Sequence, residues 1–232
     1  AGLSQITYYY KIAACDNANN CDPNYSNVDS LLPTGRFTDP ANIVAGPQVT
    51  NIRTRNATIT WSTDRFSDSK LAYGTRSNSY FPAEAYQSTQ VTGHSIELSS
   101  LSPGTTYFYR AKWTDNDGNT GQSAEMTFTT LPAPVVSDTT VSSVNLDRAG
   151  VTFTTQGATK AKIYYGKSSA FGAVSTINTS TDQSTYTTAL TGLDDGSKYY
   201  FRINTVDTSG FEYDGSVMSF TTIARPRISN VR

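Results

Sequence analysis

The chain has 232 residues and 25.1 kDa, with 18 Lys plus Arg against 19 Asp plus Glu, a formal net charge of −1. Charged residues are 16 % of it, against roughly 25 % in typical soluble domains. There is no basic footprint for nucleic acid and no acidic tail, and no run reaches the roughly 18 apolar residues of a membrane helix. Ser (27) and Thr (35) dominate, with 15 Tyr and only 2 Met. Thr and Tyr favour strands, and the helix-forming runs are missing. An all-β protein with a polar surface is expected.

Residues Ala1 to Lys11 lack the charged start and apolar run of a signal peptide. Alternation begins at once: Tyr8, Tyr10, Ile12 and Ala14 share the inward parity, which sends Cys15 outward. Cys15 and Cys21 flank an Asn-rich segment. Their spacing is no zinc pattern, and only His94 is present as an imidazole ligand. A hairpin turn there places the two cysteines opposite each other, within disulfide reach. Closing so short a loop contributes about 2 kcal/mol in the chain-entropy account. Two unpaired surface thiols are the alternative; a disulfide implies an oxidising, extracytoplasmic compartment.

Residues 34–46 read as a linker, with Phe37, Ile43 and Val44 expected to pack along a neighbouring face. Beyond it Ala57, Ile59 and Trp61 alternate with Thr58, Thr60 and Ser62, a strand with one buried face. Lys70–Gly74 reads as a further strand. His94 opens another predicted strand and is expected at the surface or an edge. Tyr107, Tyr109, Ala111 and Trp113 then alternate inward, and Asp115–Asn119 supplies turn residues.

The same pattern returns 92 residues later without a gap. Ile59 aligns with Val151, Leu71 with Ile163, Tyr107 with Tyr199 and Met126 with Met218. Thr7–Asp16 matches Thr106–Asp115, and Pro226–Arg232 repeats Pro47–Arg53. Such self-similarity decides the architecture. The organisation expected is the last two strands of a truncated unit over 1–33, the linker over 34–46, complete units over 47–132 and 133–223, and the first strand of a following unit over 224–232. Starting and ending mid-unit reads as a fragment of a longer tandem array. Seven short strands per unit is the arithmetic of a two-sheet sandwich.

The unit resembles a fibronectin type III domain. The resemblance is carried by Trp61 on the second strand, by Leu101-Ser-Pro-Gly-Thr-Thr-Tyr107, and by the alternation that follows. It implies tandem seven-stranded antiparallel β-sandwiches with Trp61, Tyr107, Phe153, Tyr199 and Tyr8 at core positions. Tyr107, Tyr199 and Tyr8 would be tyrosine corners, whose hydroxyl ties back to upstream backbone. The Tyr73-Gly74-Thr75 ending is similar to microbial versions, including those that precede metallophosphatase domains and those attached to secreted polysaccharide hydrolases. Arg-Gly-Asp is absent.

No nucleophile elbow, His-Glu-x-x-His or phosphate loop occurs, and Asp194-Asp195 fall at a turn. Asp115–Asn119 resembles the opening of a calcium loop, but its glycine comes fourth and Met126 stands where the bidentate Glu belongs; a hairpin turn accounts for it better. No catalytic residue, metal or cofactor is therefore expected. Tyr80, Phe81 and Tyr86, in an irregular segment, are candidates for stacking on glycans. Asn24, Asn56 and Asn178 stand in glycosylation sequons. The function expected is a non-catalytic extracellular or cell-surface module, structural or adhesive, in a larger protein, with a filament or surface array as a candidate setting. Its partners would be neighbouring copies or adjacent repeats of the same protein, with glycans as a further candidate and no membrane insertion within this stretch. A neighbouring chain could cover the unpaired edges of the truncated first unit by strand exchange. The alternative is an accessory spacer or glycan-binding module of a secreted hydrolase.

Overall fold

The computed structural model describes residues 8–31 and 37–227. Expectations resting on residues 1–7, on 32–36 with Pro33, and on 228–232 within the predicted strand over 224–232 lie outside the described residues. Every regular element is a strand: β1 (Tyr8–Tyr10), β2 (Asp29–Leu31), β3 (Ile43–Thr50), β4 (Ala57–Gly74), β5 (Ala85–Leu98), β6 (Thr106–Thr114), β7 (Thr120–Gln122), β8 (Met126–Thr129), β9 (Val135–Ser142), β10 (Arg148–Gln156), β11 (Lys160–Gly166), β12 (Ala173–Asn178), β13 (Ser184–Thr191), β14 (Lys198–Val206), β15 (Glu212–Tyr213) and β16 (Met218–Thr221).

By contact the chain forms two compact units. One comprises Ala1–Gln48, Ile59–Ile96 and Phe108–Met126; the other comprises Val49–Thr58, Glu97–Tyr107 and Thr127–Arg232.

The second unit contains the whole third repeat. Its strands make two antiparallel sheets, β13-β10-β9 and β12-β11-β14, with β15 and β16 both on β14. The inward residues Val151, Phe153, Ile163, Leu190, Phe201 and Ile203 form one core between the sheets. Thr and Ser occupy the outward alternates. Two sheets in this order are the arrangement of a fibronectin type III sandwich, as the sequence leads one to expect.

The strands of the middle repeat are linked as β3-β4-β6-β7, with β5 on β4 and β8 on β6. β4 runs unbroken through the stretch that the third repeat divides into β10 and β11. Ala57, Ile59 and Trp61 on β4 are buried, as are Tyr107, Tyr109, Ala111 and Trp113 on β6.

Two expectations are corrected. In the first unit β1 and β2 form a two-stranded sheet of their own. Tyr8 is half-buried, but Tyr10 is 42 % and Ile12 64 % exposed. Alternation puts these side chains on one face, and among the described residues no second sheet covers that face. The other correction concerns the linker, because β3 starts at Ile43, inside the segment read as connection. Val44 points to solvent by strand alternation and is 63 % exposed. The earlier part does pack: Ala41 is buried, and its carbonyl accepts the Trp113 indole N–H at 2.8 Å.

Candidate functional site: an aspartate turn and the arginine seated on it

The long strands β6 and β14 are each followed by an aspartate whose carboxylate folds the next turn, and Asp16 folds a turn of the same kind in the first repeat. Asp207 Oδ1 accepts the N–H groups of Ser209 (2.7 Å) and Phe211 (3.0 Å), and Oδ2 accepts the Tyr213 hydroxyl (3.0 Å). Asp115 Oδ1 accepts the N–H groups of Asp117 (3.0 Å) and Asn119 (2.9 Å). Asp16 Oδ1 accepts those of Ala18 and Asn20, both at 2.9 Å. Asp115 and Asp207 are buried, Asp16 exposed. The Asn20 side chain, then the backbone N–H groups of Asn20 and Ala18, hold the Asp16 carboxyl below the usual range. Cys15 and Cys21 close this third turn with a disulfide, both on the surface.

The two buried turns each receive a segment from earlier in the chain. In the first unit the Phe37 N–H donates to Asp117 Oδ2 (3.0 Å), and Asn119 Nδ2 donates to the Phe37 carbonyl (2.7 Å). The Arg65 guanidinium lies 3.8 Å over the Phe37 ring and donates to Asp115 Oδ2 at 3.2 Å. In the second unit Arg53, Thr54 and Arg55 meet the turn at 207–213. Arg55 lies 3.9 Å over the Phe211 ring, and its Nε donates to the Tyr213 hydroxyl at 3.2 Å. Its backbone N–H donates to Ser209 Oγ at 3.1 Å. Arg53 donates to the Thr208 carbonyl (3.3 Å), and the Thr54 and Thr208 hydroxyls pair at 3.1 Å. Burial raises the Tyr213 phenol above its ordinary value, with the Arg55 donation pulling the other way. Tyr213 thus stays a neutral donor to Asp207.

The predicted core residues take these places. The Tyr107 hydroxyl accepts the Ser102 N–H and the Tyr199 hydroxyl accepts the Asp194 N–H, both at 2.9 Å from five residues upstream. Their rings stack on Phe128 and Phe220. Phe153 is fully buried beside Tyr186. Trp61 stacks on His94 at 4.8 Å.

His94 is not at the surface, a correction to the sequence reading. It is 3 % exposed, with Thr63 (2.9 Å) and Ser67 (3.4 Å) hydroxyls at Nε2 and Ser69 (2.8 Å) at Nδ1. Burial holds it below the usual histidine value, against the pull of the Asp68 carboxylate. The signal was in the sequence: His94, Ile96 and Leu98 share one parity, and the latter two are buried.

The glycan-stacking candidates do not form one platform. The Tyr80 hydroxyl donates to Glu125 and accepts from Arg110 Nε at 2.9 Å. Burial, then Glu125, raises the phenol's pKa, and bonds from Ser77, Tyr80 and Asn78 lower that of Glu125. Phe81 sets its edge to Tyr73, and Tyr86 is exposed beneath the Lys70 ammonium at 5.3 Å. Of the sequon residues, Asn24 and Asn178 are exposed, and half-buried Asn56 donates to Glu97 at 3.3 Å. In the calcium-like segment both Asp115 oxygens face N–H donors. Among the described residues no group of three His, Cys, Asp or Glu is placed to hold a metal.

Sequence reasoning missed Arg55 and Arg65. The recurrence of Asp16, Asp115 and Asp207 was visible as aligned positions, but nothing local marks which arginine reaches each turn.

Residues 46–130 match the family described as the N-terminal domain of purple acid phosphatase. The chain is also similar to the solved FN1–FN3 domains of chicken CNTN1, at 14 % identity over 93 % of this chain and 77 % of that one, with a TM-score of 0.36. A two-domain fibronectin type III segment of chicken tenascin matches at 18 % identity over 80 % of this chain and 99 % of that one, with a TM-score of 0.33. No relative is found among curated proteins.

Proposed function

We propose that this chain is a non-catalytic structural or adhesive module, tandem β-sandwich repeats of a larger secreted or cell-surface protein that form part of a filament or surface array. The observation that carries the reading is the second unit's seam, where Arg53, Thr54 and Arg55 seat on the aspartate turn at 207–213. A connection as short as Leu131-Pro-Ala-Pro134 adds stiffness, because proline restricts itself and its predecessor. The disulfide supports an oxidising compartment. The test is protease added to intact source cells, with thiol labelling of the native material. Digestion of this chain and no label without reductant are expected; a protected chain with two labelled cysteines would refute the reading.

A second reading, an accessory module of a hydrolase, is favoured by the match of 46–130 to an N-terminal domain of purple acid phosphatase. A hydrolase domain following on the parent chain decides for it. Glycan binding that is lost on Tyr86→Ala would give the module a substrate-holding role.

A further inference from the structure

A sheet edge offers unpaired N–H and C=O groups, and proteins guard such edges with charges, proline, bulges or breaks. The third repeat guards one side only. On the guarded side, β9 carries a register shift against β10 and Asp138 at φ 50°. The last strand there is broken between β15 and β16, with Glu212 and Asp214 at the break. On the other side β12 and β13 each end their sheet. From Ser168 to Thr191 the only charged residue is Asp182, and there is no proline. The middle repeat shows the same asymmetry: β3 contains Pro47, which has no N–H to offer, whereas β5 has no charge before Glu97.

We propose that β13 pairs antiparallel with β13 of a second copy of this chain, joining sheet to sheet. This goes beyond the spacer reading and does not depend on it. Tyr186 and Leu190 face inward, while Thr185, Thr187 and Ala189 are exposed. Setting Thr187 opposite Thr187 keeps the buried face of both copies on one side; a slip by one residue would put the two cores on opposite faces of the joined sheet. The outward face already joins strands by threonine pairs: Thr152 with Thr187 and Thr154 with Thr185, each at 2.9 Å. The same pairing continues the ladder across the two-fold. A net charge of −1 sets up no repulsion between copies. An uncharged edge carries little to steer a charged partner and fits its own kind.

The test is sedimentation of the 232-residue chain over a concentration series, with Thr187→Lys and two cysteine variants. The wild type should move from monomer to twice its mass. Thr187→Lys, which sets two ammonium groups face to face, should need at least tenfold higher concentration while keeping its circular dichroism. On mild oxidation Thr187→Cys should cross-link copies, and Thr140→Cys on the guarded β9 should not. A wild type monomeric throughout, a Thr187→Lys variant that associates equally well, or equal cross-linking from both cysteines would overturn the proposal.

Discussion

Arg55→Ala isolates the seam from the core. The substitution leaves the backbone free to keep its turn but removes the guanidinium's contacts with 207–213, two of which outweigh its longer, 5.5 Å approach to the Tyr213 ring. The first is the guanidinium over Phe211, a ring 47 % exposed; a cation over an exposed ring contributes about 0.5–1 kcal/mol. The second is the charged donor to the Tyr213 hydroxyl, for which about 1–1.5 kcal/mol is reasonable at a partly wetted site. Together they amount to about 2 kcal/mol, roughly a 30-fold rise in the population of the open seam. Hydrogen exchange reads this directly. The amide of residue 55 donates to Ser209 Oγ, so it should exchange about 30-fold faster in the variant. The amide of Val151, deep in β10, should be unchanged. Arg55→Lys keeps the charge without the planar fork and should fall between. Exchange at residue 55 within threefold of wild type would show that the seam rests on the backbone alone.

Three further outcomes are expected. Tyr107→Phe and Tyr199→Phe each leave one backbone N–H without its acceptor and should each cost about 1 kcal/mol in urea unfolding, adding in the double variant. His94 binds protons less readily folded than unfolded, so its stability contribution should be complete above about pH 6.5 and fall as pH drops towards the folded value. Melting temperatures at pH 7.5 and 5.5 should therefore differ more in wild type than in His94→Gln. Reducing Cys15–Cys21 should release the Asp16–Asn20 turn, at about 2 kcal/mol of lost chain constraint. Amides 18 and 20 would then exchange faster, while the tryptophan-reported melting of Trp61 and Trp113 stays put.

What the sequence made legible was whatever repeats or alternates. The gap-free offset aligned the strands of the middle repeat with those of the third, and period-2 patterning placed Ile59, Trp61, Tyr109, Phe153 and Phe201 inside. Parity alone does not create a core, however. Tyr10 and Ile12 obey the same alternation as Tyr109 and Ala111, yet no second sheet covers them among the described residues. His94 shares the parity of Ile96 and Leu98, but an imidazole is stable inside only with polar partners, and the Thr63 and Ser69 hydroxyls that meet it are 31 and 25 positions away. The seam was hidden for a different reason: Arg55 and Phe211 are 156 positions apart, and such contacts depend on how turns meet. The aspartate turns lay between these cases, since the sequence showed the turn but not what sits on it.

The Arg53–Arg55 segment and the third sandwich are expected to move as one body. Residual dipolar couplings of residues 49–58 and 135–221, measured on the 232-residue chain, test it most directly. Both sets should fit a single alignment tensor, and Arg55→Ala should lower the apparent order of 49–58. Two tensors of different magnitude in the wild type would contradict it.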